Sequence, residues 1–227
     1  MNRTFSRALF TACLLSLASS TGLFAQEKDV FKKKGLVLTF INQDPSFSPL
    51  IKKQMVETFF QVYPLLKKEY NAKTATEVTF VIDTAYKGVA ATSGKIVSFS
   101  PVWFQKHPED IDVVTHEVMH IVQDYGSGGG PWWVTEGIAD YVRFKFGVAN
   151  AAAKWTLTPY KAGQNYDNGY RITARFLAWL EKNGYDGLVK VLDASMRNHT
   201  YSEGLWKKET KKTLQELWAA YTAAPGL

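Results

Sequence analysis

The sequence predicts an α+β fold: a small mixed sheet with one helix in the N-terminal part, a helix carrying the chemistry at the seam, and a mainly helical C-terminal part. Three observations carry this. Short apolar or alternating stretches lie in the first half, at residues 35–42, 77–83 and 95–100. Apolar residues recurring every three or four positions dominate the second half. Between the two stands His116-Glu117-Val118-Met119-His120, two imidazoles one helical turn apart.

The 227 residues suit one domain, or two small lobes around one cleft. With 46% hydrophobic residues the chain can bury a core, which excludes disorder at scale. Residues 3–25 read as a secretory signal: Arg3 and Arg7 form a basic start, residues 8–17 are apolar, and Ala25 precedes a cut at Gln26. That apolar run is too short to span a bilayer, so the expectation is a secreted or periplasmic protein with no stable membrane insertion. The division is therefore residues 1–25 as signal and 26–227 as one domain, with 26–106 its α/β part and 107–227 mainly helical. Cys13 is the only cysteine and lies inside the signal, so the exported chain stands on its core and a metal rather than on disulfides. Loss of Arg3 and Arg7 leaves it modestly basic. Its lysines come in pairs and one triad without any nucleic-acid motif, which argues against a nucleic-acid partner. Nothing in the pattern specifies an oligomeric state.

In chain order, residues 35–42 read as a buried strand, and Asp44-Pro45-Ser46 as a turn. A helix starts at Ser48 with Pro49 in its first turn. Ile51, Met55, Phe59, Val62 and Leu66 form its stripe, and Pro64 predicts a kink or an early stop. Residues 77–83 alternate as a second strand. Residues 95–100 form a third, expected at the free edge of the sheet, where an extended peptide could pair with it. Pro108-Glu109-Asp110 opens the helix of the two histidines, which should run to about Tyr125 and stop at the glycines of residues 126–130. Trp132 begins another helix, with Trp133, Ile138, Tyr141, Val142 and Phe146 apolar. Residues 149–160 show no clear period. Residues 167–182 and 186–197 read as helices, and Thr210 caps a last one carrying Leu214, Leu217, Trp218 and Tyr221.

Two histidines four apart on a helix leave the same face, which suits two nitrogen ligands on one zinc ion. Glu117 lies beside that face, in the general-base position toward a water on the metal. Catalytic zinc usually takes a third protein ligand. If the helices flanking the glycine-rich turn fold back antiparallel, His120 and Glu136 come level, making Glu136 that ligand. Asp140, one turn further along, could accept a hydrogen bond from the outer nitrogen of His116 or His120. Asp124 follows His120 by four and points away from the metal, and a metzincin-type third histidine would fall at Gly126.

His116-Glu117-x-x-His120 with Glu136-x-x-x-Asp140 is similar to the gluzincins, the thermolysin-like metallopeptidases. A closer resemblance covers residues 36–221. His116-Glu117-x-x-His120-x-x-Gln123, the glycine-rich turn and the run from Glu136 to Arg143 resemble the basic secretory protein family of plant and bacterial zinc peptidases. So do Asp167-x-Gly169-Tyr170, Thr173 to Leu177, Gly88-Val89-Ala90 and Thr92-Ser93-Gly94. The resemblance implies a zincin-like fold, a Zn2+ cofactor and a peptide or protein substrate.

Peptide hydrolysis passes through an oxyanion that needs a donor opposite the metal. Tyr166 and Tyr170 flank Asp167-Asn168-Gly169. Tyr166-x-x-Gly169 resembles the tyrosine motif of gluzincin aminopeptidases, and Tyr170 matches the basic secretory pattern, with slight preference for Tyr170. His107 and His199 read as surface residues. The expected function is a secreted zinc metallopeptidase in which Glu117 assists attack of zinc-bound water. The Gly-x-Met-Glu-Asn sequence that holds a substrate amine in gluzincin aminopeptidases is absent, which favours an endopeptidase. Two other readings stand beside it. One is a catalytically silent, zinc-stabilised binding module of the cell envelope. The other is a carbohydrate-associated protein binding through exposed Trp132, Trp133 and Tyr160.

Overall fold

A computed structural model describes residues 27–227. The signal at residues 3–25, its cut at Gln26, and Cys13 lie outside the described residues. Five strands form one sheet: β1 (Glu27–Lys33), β2 (Leu36–Asn42), β3 (Glu77–Ile82), β4 (Ala90–Ser93) and β5 (Ile96–Phe99), in the order β1-β2-β3-β5-β4. β2, β3 and β5 are parallel, and β1 and β4 run antiparallel along the two edges, so the sheet is mixed.

Three of these strands depart from the sequence reading. β1 is a polar strand of mostly exposed residues, invisible to hydrophobic periodicity. It is fixed by a two-residue turn in which Lys34 and Gly35 both have positive φ, the geometry that matches strand twist. β5, expected at the free edge, is paired on both sides, with β3 and with β4. The edge belongs to β4, whose four small residues bury no apolar face that would announce a strand.

Helix α1 (Pro49–Glu69) connects β2 to β3 and covers one face of the sheet. Ser48 Oγ accepts from the Ile51 amide and Pro49 fills the first turn, as the sequence predicts. Pro64 does not stop the helix, which continues to Glu69. Met55, Phe59, Val62, Tyr63 and Leu66 are fully buried, and Phe59 meets Phe80 of β3 edge-on at 5.6 Å. Phe40, Phe80, Phe99 and Phe104 extend this aromatic core toward the seam.

Helix α2 (Pro101–Lys106) follows β5 directly, and α3 (Val113–Gln123) carries the histidines. α3 therefore starts later than Pro108. Asp110, read as part of that helix start, instead takes hydrogen bonds from Trp103 Nε1 at 3.0 Å and from Arg143. Wholly buried Asp112 accepts from Thr115 Oγ1 at 2.7 Å and from the amides of Val148 and Ala149. α3 ends at Gln123 because Asp124 turns left-handed, at φ 44° and ψ 41°.

A helix end leaves carbonyls without partners. Here side chains supply them. Thr74 Oγ1 donates to Ile121 O at 2.9 Å, Asn71 Nδ2 to Val122 O at 2.9 Å, and Arg197 Nη1 to Gln123 O at 3.2 Å. Arg197 also donates through Nη2 to Tyr70 O at 2.8 Å and to Asp193 Oδ2 at 2.6 Å. One guanidinium thus joins the ends of α1 and α3 to the C-terminal helices.

Helix α4 (Trp132–Phe146) returns antiparallel to α3. A short 3-10 helix (Tyr166–Asn168), helix α5 (Tyr170–Lys182), α6 (Leu188–Arg197), α7 (Gly204–Thr210) and α8 (Leu214–Ala223) complete the chain. The predicted helix over residues 167–182 is broken at Gly169, at φ 74° and ψ −175°, where a side chain is strained. Thr210 ends α7, a helix the sequence reading missed, rather than opening the last one. Thr213 caps α8, in a reciprocal box with Glu216. α4 packs closely on α5 because Gly137 has no side chain: a Cβ there would lie 2.3 Å from Thr173 Cγ2.

Among the described residues, no helix is long and apolar enough to cross a membrane.

Candidate metal centre

α3 and α4 bring His116, His120 and Glu136 together as one cluster of potential metal ligands. His116 Nε2 lies 3.2 Å from His120 Nε2 and 3.2 Å from Glu136 Oε2. His120 Nε2 lies 3.5 Å from Glu136 Oε2. Ligand atoms held about 2.0–2.1 Å from a tetrahedral ion are spaced by about 3.3–3.4 Å, so this triangle has the size of one face of such a site.

The outer nitrogens of both imidazoles are already engaged. His116 Nδ1 meets Asp140 Oδ1 at 2.7 Å, and His120 Nδ1 meets Gln123 Oε1 at 2.7 Å. Gln123 Nε2 donates to Thr135 O at 2.9 Å, which turns its carbonyl oxygen toward His120. Each Nδ1 is thereby engaged as a donor, which leaves each Nε2 as the nitrogen that faces inward. Of the two histidines left open as partners of Asp140, it is His116.

The electrostatics fit a cation. Burial opposes charge on His116, but hydrogen bonds to Asp140 and Glu136 outweigh it and raise the imidazole to about 10. Burial would push the Glu136 carboxyl up, yet its hydrogen bonds to His116 and His120 lower it to about 2. The pocket is built to hold positive charge, which a proton provides when no ion does.

Glu117 is 6% exposed and lines a cleft of about 1220 Å³. Thr92 Oγ1 of the edge strand donates to its Oε2 at 2.7 Å. The cleft reaches past the histidines in both directions. Trp103, Asp110, Arg143 and Trp155 line it near the start of α3, and residues 124–126 and 128–130 line it beyond the end. Arg143 stacks over Trp155 at 4.3 Å.

The two tyrosines part company. Tyr170 lines the cleft with its ring parallel to that of His116 at 6.2 Å, and it is 51% exposed. Its φ is 47°, rare for so bulky a residue, and the preceding Gly169 is held under Trp132. Burial, then the charges of Glu136, Asp140 and Glu117, raise its phenol, so the hydroxyl keeps its proton. Tyr166 is not brought to the cleft. Its ring packs against Trp133 at 5.2 Å and Trp218 at 6.1 Å. Asp124 lines the cleft rim from its left-handed cap but does not join the ligand cluster, and His199 is exposed at the end of α6. His107 stacks on Trp103 at 4.1 Å along the cleft wall. Of the aromatics considered for carbohydrate, Trp133 is buried and Tyr160 packs on Trp218 and Tyr221, so the expected exposed cluster does not form.

Sequence reasoning named Gln123 only within a motif and assigned no role to Thr92, Arg143 or Tyr86. For Gln123 the signal was its i+3 spacing from His120. Nothing in the sequence alone places β4 against α3.

Residues 38–221 match a family described as peptidase of plants and bacteria. The chain belongs to this family. No curated protein matches it. Solved structures similar to this peptidase-family chain include an M1 zinc metallopeptidase from Deinococcus radiodurans, 12% identical with a TM-score of 0.51. That match covers 87% of this chain and 51% of the other. A point mutant of that enzyme is 11% identical at a TM-score of 0.52, over 88% and 53%. A two-domain M1 zinc metallopeptidase mutant bound to L-tryptophan is 12% identical at 0.54, over 88% and 52%. At such identity the likeness is one of fold, and the chain spans about half the length of these structures.

Proposed function

We propose that the protein is an exported, gluzincin-type zinc endopeptidase. One observation carries the reading: three inward-facing ligand atoms on α3 and α4 form a triangle of the right size, beside a buried glutamate at the floor of an open cleft. His116 and His120 through Nε2, and Glu136 through a carboxylate oxygen, would hold zinc. Bound there, zinc supplies a Lewis acid and a water whose pKa falls to about 7.

The chain's own residues divide the remaining work. Glu117 takes the proton of the attacking water and returns it to the leaving amine. Its Oε2 is held by Thr92, and its Oε1 has no hydrogen-bond partner among the described residues. Tyr170 keeps its phenolic proton and donates it as a hydrogen bond to the oxyanion. Asp140 and Gln123 hold the two rings in one tautomer and orientation. The cleft's extension past both ends of the histidine pair leaves room for peptide on either side of the scissile bond, which supports internal rather than terminal cleavage. Export rests on the signal-like N-terminal sequence.

The test is mass-spectrometric mapping of products from a mixed peptide pool, using the zinc-loaded protein and its Glu117→Ala variant. Internal cuts by the parent that vanish in the variant are expected. Terminal trimming would replace endopeptidase with exopeptidase. Turnover that survives in the variant would remove Glu117 as the base.

A further inference from the structure

Strand β4 is hydrogen-bonded to the histidine helix through Thr92, and that side chain holds the base. The register between β4 and β5 pairs Ala91 with Ser98, and Ser100 N–H donates to Val89 O at 3.0 Å. In an antiparallel pair such bonded positions alternate, so residues 89, 91 and 93 turn their backbone groups to β5, while Ala90 and Thr92 turn theirs to the open edge. The Ala90 carbonyl on that edge is already taken: the Tyr86 hydroxyl donates to it at 2.9 Å. Thr92 is left as the β4 residue offering both an outward amide and an outward carbonyl.

The side chain of the same residue points to α3. Thr92 Oγ1 lies 2.7 Å from Glu117 Oε2 and 3.0 Å from Glu117 O. One hydroxyl proton serves both oxygens, and the charged carboxylate, at the shorter distance, takes the larger share. A glutamate has three rotatable side-chain bonds. Helix α3 fixes its Cα and burial narrows its rotamers, but neither by itself aims the carboxylate oxygens. The threonine bond commits Oε2 and directs Oε1 to the work of proton transfer.

We propose that Thr92 is the positioning residue for Glu117: through its hydroxyl, the strand at the cleft rim sets the orientation of the base. The proposal rests on the peptidase reading above. It assigns Thr92 no contact with the reacting atoms.

The experiment compares the parent, Thr92→Val and Thr92→Ser, all zinc-loaded, on one cleaved peptide. Valine keeps the volume and the β preference and removes the hydroxyl; serine restores the hydroxyl. Thr92→Val should lower kcat about tenfold or more with KM within twofold, as expected when a charge-assisted hydrogen bond to a catalytic group is lost. Thr92→Ser should recover most of that loss. Zinc affinity by metal titration and Tm should match the parent in both variants. An unchanged kcat in Thr92→Val would overturn the proposal. So would a fall in kcat accompanied by matching losses of zinc affinity and Tm that serine does not recover, because the threonine would then only pin β4 to α3. A parent that turns over no peptide overturns the peptidase reading and this proposal with it; an active parent beside an equally active Thr92→Val overturns the proposal alone.

Discussion

Each imidazole of the candidate metal centre has its outer nitrogen committed by the protein itself. Asp140 serves His116 and Gln123 serves His120, each at 2.7 Å. Losing such a partner frees ring rotation and tautomer. Asp140→Ala or Gln123→Ala should each weaken zinc binding by about 10–100-fold, measured by competition with a chelator of known affinity. Glu136→Ala should weaken it further, and a parental affinity in that variant would overturn the third-ligand assignment. The same residue-level logic separates the tyrosines. Tyr170→Phe should lower kcat by about 10²–10³-fold with little change in KM, the cost of one oxyanion donor. Tyr166→Phe should leave kcat within a factor of two, since that phenol packs between indoles away from the cleft. A larger loss in Tyr166→Phe than in Tyr170→Phe would reverse the two roles.

At the scale of elements, the centre depends on how closely α4 lies on α5, and Gly137 sets that distance. Gly137→Ala would place a methyl 2.3 Å from Thr173 Cγ2. Overpacking of this kind costs about 1–3 kcal/mol, or roughly 2–4 °C of Tm per kcal/mol at this chain size. A calorimetric scan checks it, and a Tm equal to the parent's would show that the helices give way freely. Elements also show where the sequence was legible. Periodicity found β2, β3, α1 and α4, because each buries an apolar face large enough to pattern its residues. It missed β1 and β4, edge strands whose hydrogen bonds carry them without an apolar face. It therefore gave β5 the edge position that β4 occupies. The histidine helix was legible, but not its start, because Asp110 and Asp112 serve partners on α4 and in the segment after it, outside any local window. The spacing of His116, His120, Glu136 and Asp140 was readable because a helical hairpin converts sequence distance into position. The Thr92 contact was not, since it depends on where a separate sheet lands.

At the scale of the molecule, a metal held by this cluster would be linked to the fold. An ion bound by the folded chain alone stabilises it by about 4 kcal/mol when present at a thousand times its Kd. Chelation should therefore lower Tm, and readdition of zinc should restore it. A Tm indifferent to chelator would mean that the ligand cluster holds no tightly bound ion. The M1 structures share this fold over about half their length.

The guanidinium of Arg197 adds a dimension of time. The three proposed ligands span only 21 positions, from His116 to Glu136, and local folding could gather them early. Yet the last carbonyl of the histidine helix finds its partner in a residue 74 positions later, and the end of α1 waits for one 127 positions later. A chain made N-terminus first gains that clasp only after residue 197 has been made. Until then the end of the histidine helix stays unfastened, however early its own turns form.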